Sequence, residues 1–190
     1  MALERACKTV LHQLFHFDPW HLSTRLQRRY PEDIVRHLNA RPEAGRRSAL
    51  EIGCGLGDIL RSLRFSARTG YDSDPRVLKA ARVLSRIACS GRISFRPFTF
   101  PDTPLRERYD VILLVNWIHE VPSETLTREL HRYLRDHLTA GGELIIDTVQ
   151  SRDYRFNHSI AALTAGLNCA VKKIGDYKSG RAVFAISAPS

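Results

Sequence analysis

The sequence predicts an α/β fold: a mostly parallel sheet with helices on both faces, an antiparallel hairpin that closes it and a helical cap in front. Three observations predict it. Short apolar runs alternate with amphipathic ones from residue 48 onward, a glycine-rich turn follows the first run, and the polar turn Lys178-Ser179-Gly180 separates the last two. Links this short between strand and helix impose parallel strands with helices over both faces.

Residues Met1 to Ala40 read as two helices split by Asp18-Pro19, followed by a loop from Arg41 to Arg47 that carries Pro42 and Gly45. Phe15, Phe17, Trp20 and Leu22 supply apolar cover, so this part is expected to cap the carboxyl edge of the sheet. It is too short to be a domain. The chain therefore reads as a single domain, 1–190, with a cap at 1–47 and a core at 48–190. In the core, Ser48 to Gly53 is a buried strand, and a helix is expected from about Asp58 to Phe65. Ala67 to Asp72 is the second strand. Pro75 to Ala88 is a helix with Asp74 as its N-cap and proline at its first position. Ile93 to Phe98 and Tyr109 to Val115 are the next strands, and Ser123 to Leu138 is a long amphipathic helix ended by Gly141-Gly142. Glu143 to Val149 is a strand, Phe156 to Leu167 a helix, and Ala170 to Tyr177 and Arg181 to Ser187 are the two strands of the closing hairpin.

Composition removes several classes of function. The longest apolar runs are strand-sized, far short of the roughly 20 residues a membrane helix needs. Residues Met1 to Val10 carry Glu4, Arg5 and Lys8 and lack the apolar stretch of a secretory signal, so a cytoplasmic location is expected. Cys7, Cys54, Cys89 and Cys169 form no C-x-x-C pair and point to neither a zinc site nor a disulfide framework. The formal charge is +9, and 24 of the 29 basic residues are Arg. An excess of this size attracts nucleic acid, anionic lipid or acidic small molecules. Yet the arginines are scattered, and no basic run interleaved with aromatics forms a nucleic-acid platform.

The most informative segment is Glu51-Ile52-Gly53-Cys54-Gly55-Leu56-Gly57-Asp58. A glycine-rich turn between strand and helix lets the backbone approach a ligand closely. A dinucleotide fingerprint places its third glycine one position later, where this chain has Asp58, a carboxylate that would repel a pyrophosphate. The P-loop is excluded by the absence of Gly-Lys-Ser/Thr. Nineteen residues after Gly53, at the end of the second strand, stands Asp72, able to accept hydrogen bonds from both hydroxyls of a ribose. A nucleoside without phosphates suits both features. The competing reading, that Asp72 caps the following helix, is weakened because Asp74 holds the better cap position.

With these residues the sequence resembles the class I S-adenosylmethionine-dependent methyltransferases over about residues 48–190. The matching stretches are the glycine turn, Gly70-Tyr71-Asp72-Ser73-Asp74-Pro75, the segment from Tyr109 to Pro122, and Gly141 to Val149. The resemblance implies a Rossmann-like seven-stranded sheet with an antiparallel last strand, and S-adenosylmethionine as methyl donor. It places Glu51, Gly53, Cys54, Gly55 and Gly57 around the methionine portion and Asp72 at the ribose, and adds Ser73 and Asn116 to the cofactor set. Many members hold the adenine amino group with an acidic residue after the third strand. This chain has Thr99 there, between Phe98 and Phe100, which leaves apolar stacking and backbone contacts for the adenine.

For the acceptor, the resemblance points to His119 in Asn116-Trp117-Ile118-His119-Glu120, where many small-molecule methyltransferases carry Leu-His-His. His119 either removes a proton from a hydroxyl or amine or only lines the pocket, and both readings stand. Asp147, at the end of the fifth strand, either orients a polar acceptor or is an ordinary hydrogen-bonded strand-end residue. Phe17, Trp20, His21, Trp117, Tyr154 and His158 are the candidate pocket residues, with His16 and Tyr30 beside them, although such residues commonly pack instead. No metal is expected. The implied function is methyl transfer to an oxygen or nitrogen of a small molecule, in a biosynthetic or tailoring pathway. A nucleic-acid methyltransferase is the first alternative, against which stand the absence of a Pro-Pro turn after the fourth strand and of an appended RNA-binding domain. A non-catalytic S-adenosylmethionine-binding protein is the second.

Overall fold

The computed structural model describes residues 2–23, 28–88 and 92–187; Cys89 lies outside them. Its helices are α1 (Ala2–Phe15), α2 (Arg29–Asn39), α3 (Pro75–Ala88), α4 (Ser123–Arg132) and α5 (Ile160–Leu163). Its strands are β1 (Ser48–Ile52), β2 (Ala67–Asp72), β3 (Ile93–Pro97), β4 (Tyr109–Leu114), β5 (Leu138–Thr148), β6 (Ala170–Tyr177) and β7 (Arg181–Ser187), joined in one sheet of order β3-β2-β1-β4-β5-β7-β6. β1 to β5 pair in parallel, and β7 is antiparallel to both β5 and β6. The direction of chain progression reverses between β1 and β4. Ile52 is in register with both Tyr71 and Leu114, so three loops leave the sheet at one level and open a crevice there.

Alternation along the strands divides the core in two. Ala49, Val111, Leu113 and Ile145 face one way, toward Ile34 and Leu38 of α2 and Leu78 of α3. Leu50, Ile112, Leu114 and Ile146 face the other, toward Leu126 and Leu130 of α4 and Leu163 of α5. β4 is buried at every position, as a central parallel strand covered on both faces must be. Among the described residues no helix is long and apolar enough to cross a membrane.

Three elements differ from expectation for identifiable reasons. The helix expected from Asp58 to Phe65 is a single turn ending in the 3-10 segment Leu60–Ser62, because the Arg68 guanidinium takes the carbonyls of Leu60 and Leu63 and ends the coil. The helix begun at Ser123 widens to a π turn over Tyr133–His137, and Gly141-Gly142 lies inside β5, at an irregularity in its pairing with β4. Of the helix expected from Phe156 to Leu167 only α5 forms. The chain before it is pinned across the end of β4 instead, where Phe156 N–H donates to the His119 carbonyl at 3.0 Å and His158 Nε2 bonds the Ile118 carbonyl at 3.0 Å.

The N-terminal segment is only partly a cap. α2 belongs to the layer over one sheet face, and α1 packs on α3 through Leu11, which with Phe17 just past the helix meets Val77, Ala80 and Leu84 of α3 and Leu56 of the glycine turn. The 3-10 turn Pro19–Leu22, begun by Asp18 accepting from Trp20 N–H, reaches over the crevice, and Tyr30 of α2 borders it. Phe17 is therefore core and not a pocket residue. Polar contacts fasten the same segment. Lys8 is wholly buried, and its Nζ donates to Asp58 at 2.5 Å and to the Ser23 carbonyl at 3.0 Å. Arg61 donates to Asp58 at 2.7 Å and to Glu4 at 2.9 Å.

Removing Asp58 strands a buried ammonium. Asp58→Ala is expected to cost about 3–5 kcal/mol in urea unfolding, whereas Lys8→Met, which leaves Asp58 paired with Arg61, should cost less than half as much. Equal losses for the two variants would contradict this account of the α1 anchor.

Candidate active site

The crevice begins at the turn after β1. Gly53 and Gly55 have φ of 72° and 53°, in the left-handed region that only glycine adopts freely. Neither position has room for a side chain: a Cβ at Gly53 would lie 2.3 Å from Cδ1 of Trp117, and one at Gly55 would lie 2.8 Å from Nδ1 of His21. The Trp117 ring is held there by its Nε1–H, which donates to the Ile52 carbonyl at 2.6 Å. Asp72 fixes the turn from the other side, accepting from Gly55 N–H at 2.9 Å and from Asp74 N–H at 3.0 Å.

Two pockets flank this turn. One, of about 570 Å³, is lined by Glu51, Gly53, Cys54, Gly55, Asn116 and their neighbours. The other, of about 750 Å³, is lined by Gly53, Asp72, Ser73, Thr99, Phe100 and Trp117. Trp20 and His21 border both, their rings stacked at 3.7 Å. Burial lowers the His21 pKa against the opposing pull of Asp72, Asp18, Asp58 and Asp74. At the floor of the first pocket, burial holds the Glu51 carboxyl well above the usual range, with the nearby Asp58 adding to it, and Glu51 Oε2 is buried without a hydrogen-bond partner among the described residues. Burial likewise raises the Cys54 thiol.

The end of β4 is organised from behind. Asn116 has φ of 75°, unusual for a residue with a side chain, and its N–H donates to Oδ1 of Asp147 at 2.8 Å. Asp147 is fully buried and paired through Oδ2 with Arg181, the first residue of β7. Arg181 also donates to the Tyr154 hydroxyl at 3.3 Å, and Tyr154 lies on His119 with ring centroids 4.0 Å apart. His119 is buried and lines neither pocket. Burial, and then the Arg181 charge, lower its pKa from the ordinary 6.5, so it is neutral at pH 7.

A family model described as a methyltransferase domain matches residues 50–144, from β1 into β5. The chain belongs to the S-adenosylmethionine-dependent methyltransferases. No relative is found among curated protein sequences. Solved structures with the same fold include the N-methyltransferase NodS from Bradyrhizobium japonicum WM9 in complex with S-adenosyl-L-homocysteine, at 17% identity and TM-score 0.73, covering 97% of this chain and 99% of that one. The magnesium protoporphyrin IX methyltransferase ChlM from Synechocystis PCC 6803 with bound SAM matches at 14% identity and TM-score 0.66, over 85% of this chain and 79% of that one. An O-methyltransferase family protein from Burkholderia thailandensis matches at 16% identity and TM-score 0.60, over 85% of this chain and 57% of that one.

Within this methyltransferase, Glu51, Gly53, Cys54, Gly55, Asp72, Ser73, Thr99 and Asn116 converge on the crevice, as do Trp20, His21 and Trp117. Gly57 stands back from it, beneath Phe95, where its missing Cβ makes room for that ring. His158 does not converge: it is buried between Ser123 and the Ile118 carbonyl and braces the loop over β4. Asp147 does not face an acceptor either, since both of its oxygens are engaged inside the fold. Sequence reading missed Arg181, whose only signal was a lone cation at the head of an apolar strand.

Asp147 should matter for stability before it matters for chemistry. Asp147→Ala strands the buried Arg181 and frees the strained Asn116, and is expected to cost about 3 kcal/mol or more. A loss below about 1 kcal/mol in chemical denaturation would count against this bracing role.

Proposed function

We propose that this methyltransferase transfers a methyl group from S-adenosylmethionine to an oxygen or nitrogen atom of a small molecule. The observation that carries the reading is the continuity of the crevice. Gly53, Trp20 and His21 are common to the two pockets around the glycine turn, and Arg28 and Tyr30 are common to the first of these and a further cleft beside the β6–β7 hairpin. A nucleoside-sized cofactor in the first two leaves the third for an acceptor. The magnesium protoporphyrin IX methyltransferase among the similar structures supports a small acceptor, and the N- and O-methyltransferases support a nitrogen or oxygen as the accepting atom.

The residues present suit the cofactor. Glu51 Oε2, buried and without a hydrogen-bond partner among the described residues, suits an ammonium group, and the backbone at Gly53 and Gly55 admits close approach. Asp72 has lone pairs left for two ribose hydroxyls beyond the two N–H groups it accepts. Ser73 and Thr99 border the same pocket, and the stacked Tyr71 and Phe98 stand beside it. When bound, the cofactor supplies a methyl carbon open to in-line attack by an acceptor lone pair, the sulfur keeping the electrons of the broken bond and the acceptor proton passing to solvent. Alignment is then the main service of the protein, and Asn116, Tyr30 and Trp117 are the rigid surfaces available for it. His119, packed beneath Tyr154, serves to position that ring and not to remove the proton.

The direct test is methyl transfer from labelled cofactor to a panel of small hydroxyl and amine compounds, with transfer RNA alongside. Label in small acceptors is expected, and label in RNA alone would contradict the reading. His119→Gln should keep turnover within about threefold, since it preserves packing and hydrogen bonding without a titratable proton. A loss of about 10²-fold, together with a wild-type rate that rises as pH climbs through a value below 6.5, would restore His119 as the base, because only the neutral imidazole accepts a proton.

A further inference from the structure

The cleft beside the hairpin has a charge balance of its own. It opens between the start of α2 and the β6–β7 turn, with an open volume of about 1170 Å³. Its two acids are already occupied. Asp33 accepts from Arg36 at 2.6 Å and from the Tyr177 hydroxyl at 2.9 Å, and Asp176 pairs with Lys173 at 3.1 Å. Among its cations Arg181 is neutralised by Asp147. Arg28 spends its hydrogen bond on the neutral Tyr30 hydroxyl at 3.2 Å, and Arg29 and Lys178 have no carboxylate partner among the described residues. Among the described residues three positive charges are thus left uncompensated around one concavity.

The aromatic wall of the cleft is fixed. Tyr30 lies under the Arg181 guanidinium at 4.9 Å, donates its hydroxyl to Asn116 Oδ1 at 3.2 Å and meets Tyr177 edge to face at 5.9 Å. Because Tyr30 also borders the pocket over the glycine turn, a molecule held in the cleft reaches the cofactor past this one ring. Unpaired cations around a cavity concentrate anions, and the guanidinium fork matches a carboxylate or a phosphate. A cationic acceptor would be repelled by the same three groups.

We infer that the methyl acceptor carries an anionic group, a carboxylate or phosphate, which Arg28, Arg29 and Lys178 hold in this cleft while its nucleophilic atom extends past Tyr30. The assignment rests on the small-molecule methyl transfer proposed above. It is tested by NMR titration of the full chain with benzoate and with benzamide, its neutral isostere, each with and without S-adenosylhomocysteine. Benzoate should bind at least about tenfold more tightly than benzamide, the scale of a charge-assisted contact. The double variant Arg29→Glu, Lys178→Glu should abolish that preference and leave the affinity for S-adenosylhomocysteine within about twofold of wild type, since neither side chain borders the cofactor pockets. Equal binding of the two probes, or a preference that survives the charge reversal, would overturn the inference. A short oligoribonucleotide that binds far more tightly than benzoate and is weakened by the same two substitutions would overturn it in favour of a polymer. The arms without cofactor report on the cleft alone, so absent methyl transfer to any small molecule would sink the proposed function separately.

Discussion

The Asp72 carboxylate receives an N–H from each of two loops, Gly55 in the turn after β1 and Asp74 ahead of α3. Those bonds join the carboxyl ends of adjacent parallel strands and set the shape of the crevice between them. With Gly55 held, the turn keeps its left-handed glycines, and His21 and Trp117 can lie directly on bare backbone. The same carboxylate remains accessible at the pocket wall, with lone pairs left over for a ligand. Charge-assisted bonds to backbone amides are strong enough to serve both ends.

The N-terminal segment is fastened to that turn through charge. Asp58 is neutralised by Lys8 from α1 and by Arg61 from its own turn. That carboxylate is the anchor that brings α1 against α3 and carries Trp20 and His21 over the crevice.

Much of the fold was legible because it is local. β2, α3, β6 and β7 begin and end where alternation, the Asp74-Pro75 start and the Lys178-Ser179-Gly180 turn place them. The glycine turn and Asp72 were legible as a site because strand, turn and strand fix their separation along the chain. What stayed hidden depends on partners distant in sequence. Arg68 shortening the coil after the turn, Phe17 finding α3, and His158 bonding the Ile118 carbonyl are all contacts that periodicity does not encode. Asp147 is the clearest case. A carboxylate at a strand end looks available for substrate, and only the fold reveals Arg181 and the Asn116 amide consuming it.

The central claim is that Asp72 holds the cofactor as well as the turn, and calorimetry with S-adenosylhomocysteine tests it most directly. Asp72→Ala should weaken binding by about 1.5–3 kcal/mol, roughly ten- to a hundredfold, in a protein that still unfolds cooperatively. Asp74→Ala, which removes the cap of α3 and the pairing with Arg76, should leave affinity within about twofold. Unchanged affinity in Asp72→Ala, accompanied by a large loss of melting temperature, would show that the carboxylate serves the loops alone and would contradict the account.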